Sequence, residues 1–201
     1  MKSLFNIFRI PAVIIAAGLF LFTTKANAQQ VAIKTNALYD ATATINLGAE
    51  FGLHPRWTLD ISGNFNSWSK NKGGEKWKHW LAQPEARYWF CDRFAGHFIG
   101  AHLLVGAFNF GSIKNNISFL GTDLSQLTNY RYQGYGYGAG LCYGYAFLLG
   151  KHWNLELELG VGYILADYDK FECDNCGRNI GGGRHHYFGP TKAAINIVYL
   201  F

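Results

Sequence analysis

Apolar and polar positions alternate with a period of two along most of this chain. The clearest run is Trp153 to Leu165: Trp153, Leu155, Leu157, Leu159, Val161, Tyr163 and Leu165 share one face, and Asn154, Glu156, Glu158, Gly160 and Gly162 the other. Successive side chains of a β-strand point to opposite faces, so this period predicts strand rather than helix. The pattern recurs at Ile45–Leu53, with Asn46, Gly48, Glu50 and Gly52 opposite the apolar set, and at Trp57–Phe65, with Thr58, Asp60, Ser62 and Asn64 opposite. From Tyr135 to Phe147, large residues face Gly134, Gly136, Gly138, Gly140 and Gly144. Weaker alternation marks Val31–Ala37, His79–Phe90, Ile99–Phe108 and Phe188–Phe201. The total is eight strands, most near the ~9–11 residues that a tilted membrane-crossing strand needs.

The connectors alternate in length. His54–Arg56, Cys91–Arg93 and Leu149–His152 are tight turns, whereas 38–44, 67–78, 109–131 and 166–187 are longer and mostly polar. Short turns on one side and long loops on the other are the asymmetry of an outer-membrane barrel. An eight-stranded interior is only just wide enough to be filled by side chains or to hold one small ligand. It has no room for the Trp, Leu, Tyr and Phe face, so the glycine and polar face is expected inside and the large residues outside, against lipid. The expected fold is an all-β, eight-stranded antiparallel up-and-down transmembrane β-barrel. Trp57, Phe147, Trp153, Tyr199 and Phe201 are expected to ring one rim, and Phe65, Trp80, Phe108, Tyr135, Tyr163 and Phe188 the other, as aromatic girdles.

The first residues point to the same place. Lys2 and Arg9 flank an apolar run, Ile10–Phe22, followed by Ala26-Asn27-Ala28, the layout of a secretory signal peptide. Residues 1–28 are read as that signal and 29–201 as one barrel domain. The remaining 173 residues carry fifteen basic and thirteen acidic side chains, a balance that does not suggest a nucleic-acid binder, and export argues against one too. No apolar run approaches the ~20 residues of a membrane-crossing helix, and no cysteine follows Ala28 directly, which argues against a lipoprotein. The alternating segment Ile195–Phe201 ends on an aromatic residue, as expected of a strand that guides outer-membrane insertion. The predicted location is the cell outer membrane, in contact with its lipid and lipopolysaccharide.

Several motifs are shared with a known family. They are Lys34-Thr35-Asn36-Ala37-Leu38-Tyr39-Asp40-Ala41 leading into Asn46-Leu47-Gly48-Ala49-Glu50, the stretch Lys76–Trp89, Phe188-Gly189-Pro190-Thr191-Lys192, and the Cys173-x-x-Cys176-Gly177 loop. Together they resemble a Bacteroidota domain family of unknown function, regarded as a small outer-membrane barrel, some of whose members are encoded beside fimbrial genes. The resemblance covers nearly all of the exported part. It implies fold and place, and it transfers no catalytic residue. In size the chain is also similar to the barrel domain of outer membrane protein A.

The inward face carries Lys34, Glu50, Asp60, Glu85, Arg87, His102, Glu156, Glu158 and Lys192. Unpaired charges there would cost several kcal/mol, so a lumen network of ion pairs is expected, with an ion path or a catalytic pair as the alternatives. Cys173 and Cys176, with His185 and His186 nearby, offer a local disulfide, a tetrahedral zinc site, or a thiol pair that merely shapes the loop. The oxidising compartment favours the disulfide, although so small a ring contributes only ~2 kcal/mol. Cys91 in a turn and Cys142 in a strand read as unpaired. The spacing Gly134-x-Gly-x-Gly-x-Gly140 is strictly period two and opens no helix, so phosphate binding is rejected in favour of making room in the lumen.

No G-x-S-x-G motif is present, and no cofactor or metal is called for. The expected function is a non-enzymatic barrel with a plugged lumen, whose surface loops bind or support a surface partner, a fimbrial or envelope protein. A lipid-modifying enzyme and a narrow channel are the alternatives. The basic loop Ser67–Lys78, with Lys70, Lys72, Lys76, Lys78, Trp68 and Trp77, is a candidate to rest on lipopolysaccharide phosphates, and the apolar content of Asn109–Arg131 suits a contact surface.

Overall fold

A computed structural model describes residues 31–67, 76–111, 118–119, 122–123, 130–172 and 177–201. Its eight long strands are β1 (Val31–Asn36), β2 (Ile45–His54), β3 (Trp57–Asn66), β4 (Lys76–Trp89), β5 (Gly96–Gly111), β6 (Arg131–Leu148), β7 (Trp153–Phe171) and β8 (Asn179–Leu200). They close in the order β1-β8-β7-β6-β5-β4-β3-β2, every neighbour antiparallel. Closure removes the exposed strand edges that an open sheet would leave. A two-residue ladder, Ser118–Phe119 with Thr122–Asp123, lies outside the ring.

All three tight turns fall at one end, here the turn end, with Val31 and Phe201 beside them: the Phe201 amide donates to the Val31 carbonyl at 3.0 Å. The opposite end is the loop end. The facing of β7 follows its alternation, Leu157, Leu159, Val161 and Tyr163 being exposed and Asn154, Glu156 and Glu158 buried. The outer surface is accordingly apolar over its middle. At the turn end Trp57, Phe147, Trp153 and Phe201 are exposed, and Tyr199 packs between Trp153 (5.0 Å between ring centres) and Phe201 (4.9 Å). Phe65, Trp80, Tyr135, Tyr163 and Phe188 are exposed toward the loop end. Phe108 departs from that belt. It follows the parity of His102 and Leu104 and lines the interior instead.

Three further expectations change. Residues 38–44 are not simply loop, because Ala37–Ala41 forms a short helix, α1. Asn36 caps it, accepting from the Leu38 amide at 3.0 Å, while Asp40 accepts from Thr35 (2.9 Å) and from Asn46 (2.7 Å). Asn36 also accepts from the Ile195 amide at 3.2 Å and donates to the Ala193 carbonyl, so one side chain ends β1 and closes the seam with β8. The turn after β4 spans 90–95, longer than expected, because Phe94 adopts a left-handed φ of 64° and tucks inward. That conformation is unusual for a bulky residue; burial of its ring compensates, and its carbonyl accepts from Asn154 at 2.7 Å.

The third difference is at the loop end. Residues 166–187 are mostly strand: β7 runs on to Phe171 and β8 starts at Asn179. Cross-strand pairs sustain the extension, with Arg184 bonded to Asp167 at 2.7 Å, Tyr163 to His186 at 2.5 Å, and Arg131 stacked over the Phe171 ring at 4.2 Å. The wall made by β6, β7 and β8 therefore stands higher than the β1 to β3 side, where β1 pairs β8 only from Asn196 to Leu200. Residues 1–28, Cys173 and Cys176, Lys70, Lys72 and Trp68 of the basic loop, and Ile117, Leu120 and Leu127 of the third loop lie outside the described residues.

Candidate functional site: a charged layer across the barrel interior

The interior is stacked in three layers. Nearest the turn end lies an apolar layer of Ala32, Trp89, Phe94, Phe98, Ala146, Val198 and Leu200. Trp89 rests on Phe98, with ring centres 4.7 Å apart, and its indole donates to Thr58 at 2.9 Å. The expectation of an interior made only of glycine and polar groups is therefore corrected. Trp89 shares the parity of Glu85 and Arg87 on β4, and the small partners Ala32 and Ala146 leave space for it.

The second layer holds the charges. Arg87, 0% exposed, is its centre: Nε bonds Glu85 at 2.6 Å, Nη1 bonds Glu50 at 2.8 Å and Glu156 at 3.2 Å, and Nη2 bonds Asp60 at 2.9 Å and Glu158 at 2.8 Å. The guanidinium also lies over the Phe98 ring, 4.5 Å from its centre. A planar guanidinium presents five donors in a fixed fork, which suits it to bridge several carboxylates at once. Lys34 pairs with Glu50, with Asp60 at 3.2 Å and with Glu156 at 3.2 Å. Lys192 pairs with Glu85 at 2.6 Å and Glu158 at 3.0 Å. Thr58 donates to Glu50, and Asn196 donates to Glu156 at 3.3 Å.

All the inward charged residues read from the alternation thus meet in one network, contributed by β1, β2, β3, β4, β7 and β8. A small void bordered by Lys34, Asp60, Gln83 and Lys192 measures about 20 Å³, roughly room for one water. Five carboxylates face three cations, a formal surplus of two negative charges. Asp60 Oδ1 and Glu156 Oε1 are buried without a hydrogen-bond donor, consistent with that surplus.

A β-bulge in β8 lies just before Lys192. The β7–β8 register shifts between Pro190 and Lys192, so Pro190 faces outward while Thr191 and Lys192 both serve the interior. A bulge that inserts one residue re-aims side chains in this way. The strand alternation alone does not reveal it, although Pro190, which lacks an amide donor, marks the place.

Above the charges is the third layer, an open cavity of about 600 Å³ bounded by Leu81, Leu104, Phe108, Phe110, α1 and the bulge. The glycine ladder of β6 is only partly explained by lumen crowding. A Cβ at Gly134 or Gly138 would meet the β7 backbone, 2.1 Å from the Asp167 carbonyl and 2.3 Å from that of Tyr163. One at Gly140 would meet both the Val161 carbonyl and the His102 ring. Close strand approach is therefore the main reason for these glycines.

Fold and interior define the class: an eight-stranded antiparallel β-barrel with an apolar exterior and a charged layer inside. A family model described as "Protein of unknown function (DUF3575)" matches residues 13–201, and the chain belongs to that family. A search of the curated proteins finds no match.

Proposed function

We propose that this chain is an outer-membrane barrel that does no chemistry of its own, does not conduct, and presents its loop end to a protein partner at the cell surface. In this reading the turn end faces the periplasm, and the apolar exterior with its aromatic belts sits in lipid and lipopolysaccharide. The charged layer and the apolar layer beneath it act as a plug.

The observation that carries the partner reading is the uneven rim. β7 and β8 are 19 and 22 residues long, about twice what a membrane crossing needs. From Asn179 to Gly189, β8 pairs with β7 alone among the described strands. A backbone edge standing clear of the membrane is what an extended peptide adds to by strand pairing. A fimbrial subunit is the partner that the family resemblance suggests.

Photo-cross-linkers placed at Ile180, His185 and Tyr187 in intact cells test this. Capture of a defined surface protein, lost when residues 168–185 are replaced by a short turn, is the expected result; no specific adduct refutes it. Single-channel recording is expected to show no steady conductance.

The cavity of about 600 Å³ supports a second reading, binding or modification of an acyl chain. Lipid A mass spectra with and without the protein are the discriminating measurement, and a mass change dependent on the chain would favour the enzyme.

A further inference from the structure

His102 and Cys142 belong to no ion pair that the charged layer needs, yet both are buried beside it. Glu85 and His102 are directly opposed on β4 and β5, and Cys142 on β6 opposes Gly100, two residues before His102. Three consecutive strands thus bring a carboxylate, an imidazole and a thiol together. One donor atom from each lies within 4.8 Å of the other two, and none of the three residues is more than 5% exposed.

His102 supplies an independent sign that something is missing from this place. Its Nε2 is 2.9 Å from the Thr191 hydroxyl. Its Nδ1 is buried, has no hydrogen-bond partner and points toward Glu85 Oε2, 3.9 Å away. Buried polar nitrogens are nearly always satisfied, because leaving one unmet forfeits its hydration without return.

We propose that Glu85, His102 and Cys142 bind one divalent transition-metal ion, with zinc the best match. Nitrogen, sulfur and oxygen donors at ~2.0–2.3 Å from a tetrahedral zinc lie roughly 3.3–3.7 Å from one another, so small side-chain adjustments suffice. Imidazole and thiolate together select this class of ion over magnesium or calcium. The thiol gives up its proton on binding, as metal coordination requires.

Space and charge fit the same assignment. A Cβ at Gly100 would lie 2.6 Å from Cys142 Sγ and 2.7 Å from Glu85 Oε1; one at Gly140 would lie 2.7 Å from the His102 ring, and one at Gly160 3.0 Å from it. Glycine at these positions is what admits the three donors. The layer's surplus of two negative charges favours a dication. Lys192, now 2.6 Å from Glu85 Oε2 and 3.0 Å from Glu158 Oε1, yields Glu85 to the ion and keeps Glu158. Thr191, the partner of His102, also lines the open cavity, so the site adjoins the loop end. The site is independent of whether the rim binds a partner.

The test uses the full chain, folded in detergent, with Cys91, Cys173 and Cys176 replaced by serine so that Cys142 is the sole thiol. After chelation, Co²⁺ is titrated in and then displaced by Zn²⁺. The expected result is one equivalent of Co²⁺ with a thiolate-to-cobalt charge-transfer band. His102→Gln and Cys142→Ser should each weaken binding at least about tenfold, since loss of a mere supporting group already costs that much. Retention of the heat-modifiable barrel band shows that each variant folds. X-ray absorption at the zinc edge of the unsubstituted lumen covers the case where a variant does not: one sulfur among nitrogen and oxygen neighbours is expected. Absence of stoichiometric metal, a sulfur-free shell, or binding unchanged by both substitutions overturns the proposal.

Discussion

Replacing Arg87 with methionine tests the charged layer most directly. The change removes five ion-pair contacts, all between 2.6 and 3.2 Å, from a side chain with no solvent exposure. Only Lys34 and Lys192 then remain against five carboxylates, and the surplus rises from two negative charges to three. Breaking a buried pair from one side costs about 3–5 kcal/mol, because the abandoned charge stays buried. Methionine fills much of the volume and keeps an apolar contact with Phe98, so the loss is mainly electrostatic. A second change isolates that part. Arg87→Met combined with Glu50→Gln restores the original surplus, and neighbours in one network couple by about 0.5–3 kcal/mol. The double variant is therefore expected to be more stable than Arg87→Met alone. The assay is urea unfolding of the barrel in micelles, followed by tryptophan fluorescence and by the shift of the unheated band on a gel. A loss under about 1 kcal/mol for Arg87→Met, or strict additivity in the double variant, would refute the network as a coupled electrostatic unit.

Three other outcomes are expected. Leu157→Arg, on the exposed face, should cost about 2–4 kcal/mol on refolding into liposomes if it lies near the bilayer midplane, and little in a water-filled setting; tolerance in liposomes would argue against lipid contact there. Trp89→Ala should destabilise by about 3–5 kcal/mol through the cavity left in the apolar layer, read from the unfolding midpoint. Gly140→Ala places a Cβ 2.6 Å from the Val161 carbonyl and 2.7 Å from the His102 ring, and overpacking of this kind costs about 1–3 kcal/mol. Gly63→Ala, with nothing within 4 Å of its Cβ, should stay within about 0.5 kcal/mol; equal effects at the two glycines would undercut the packing account.

What the sequence by itself determines here is local. Because side chains alternate strictly along a strand, the runs Trp153–Leu165, Trp57–Phe65, Ile45–Leu53 and His79–Phe90 assign their own faces, and with them the set Glu50, Asp60, Glu85, Arg87, Glu156 and Glu158 on one side. Turn lengths then order the strands, and antiparallel neighbours follow. Which inward residues share a level is a different matter, since that depends on the stagger between strands when the sheet closes. Only the closed barrel brings Arg87 of β4 onto Glu156 of β7, sets Glu85, His102 and Cys142 side by side, and stacks Trp89 beneath the charges. The bulge at Thr191 lies beyond alternation as well, because one inserted residue reverses the facing of everything before it, and Phe188 faces outward only on that account. The height of the β7–β8 wall likewise comes from cross-strand partners such as Asp167 and Arg184, which hold polar sequence in strand form where its composition reads as loop.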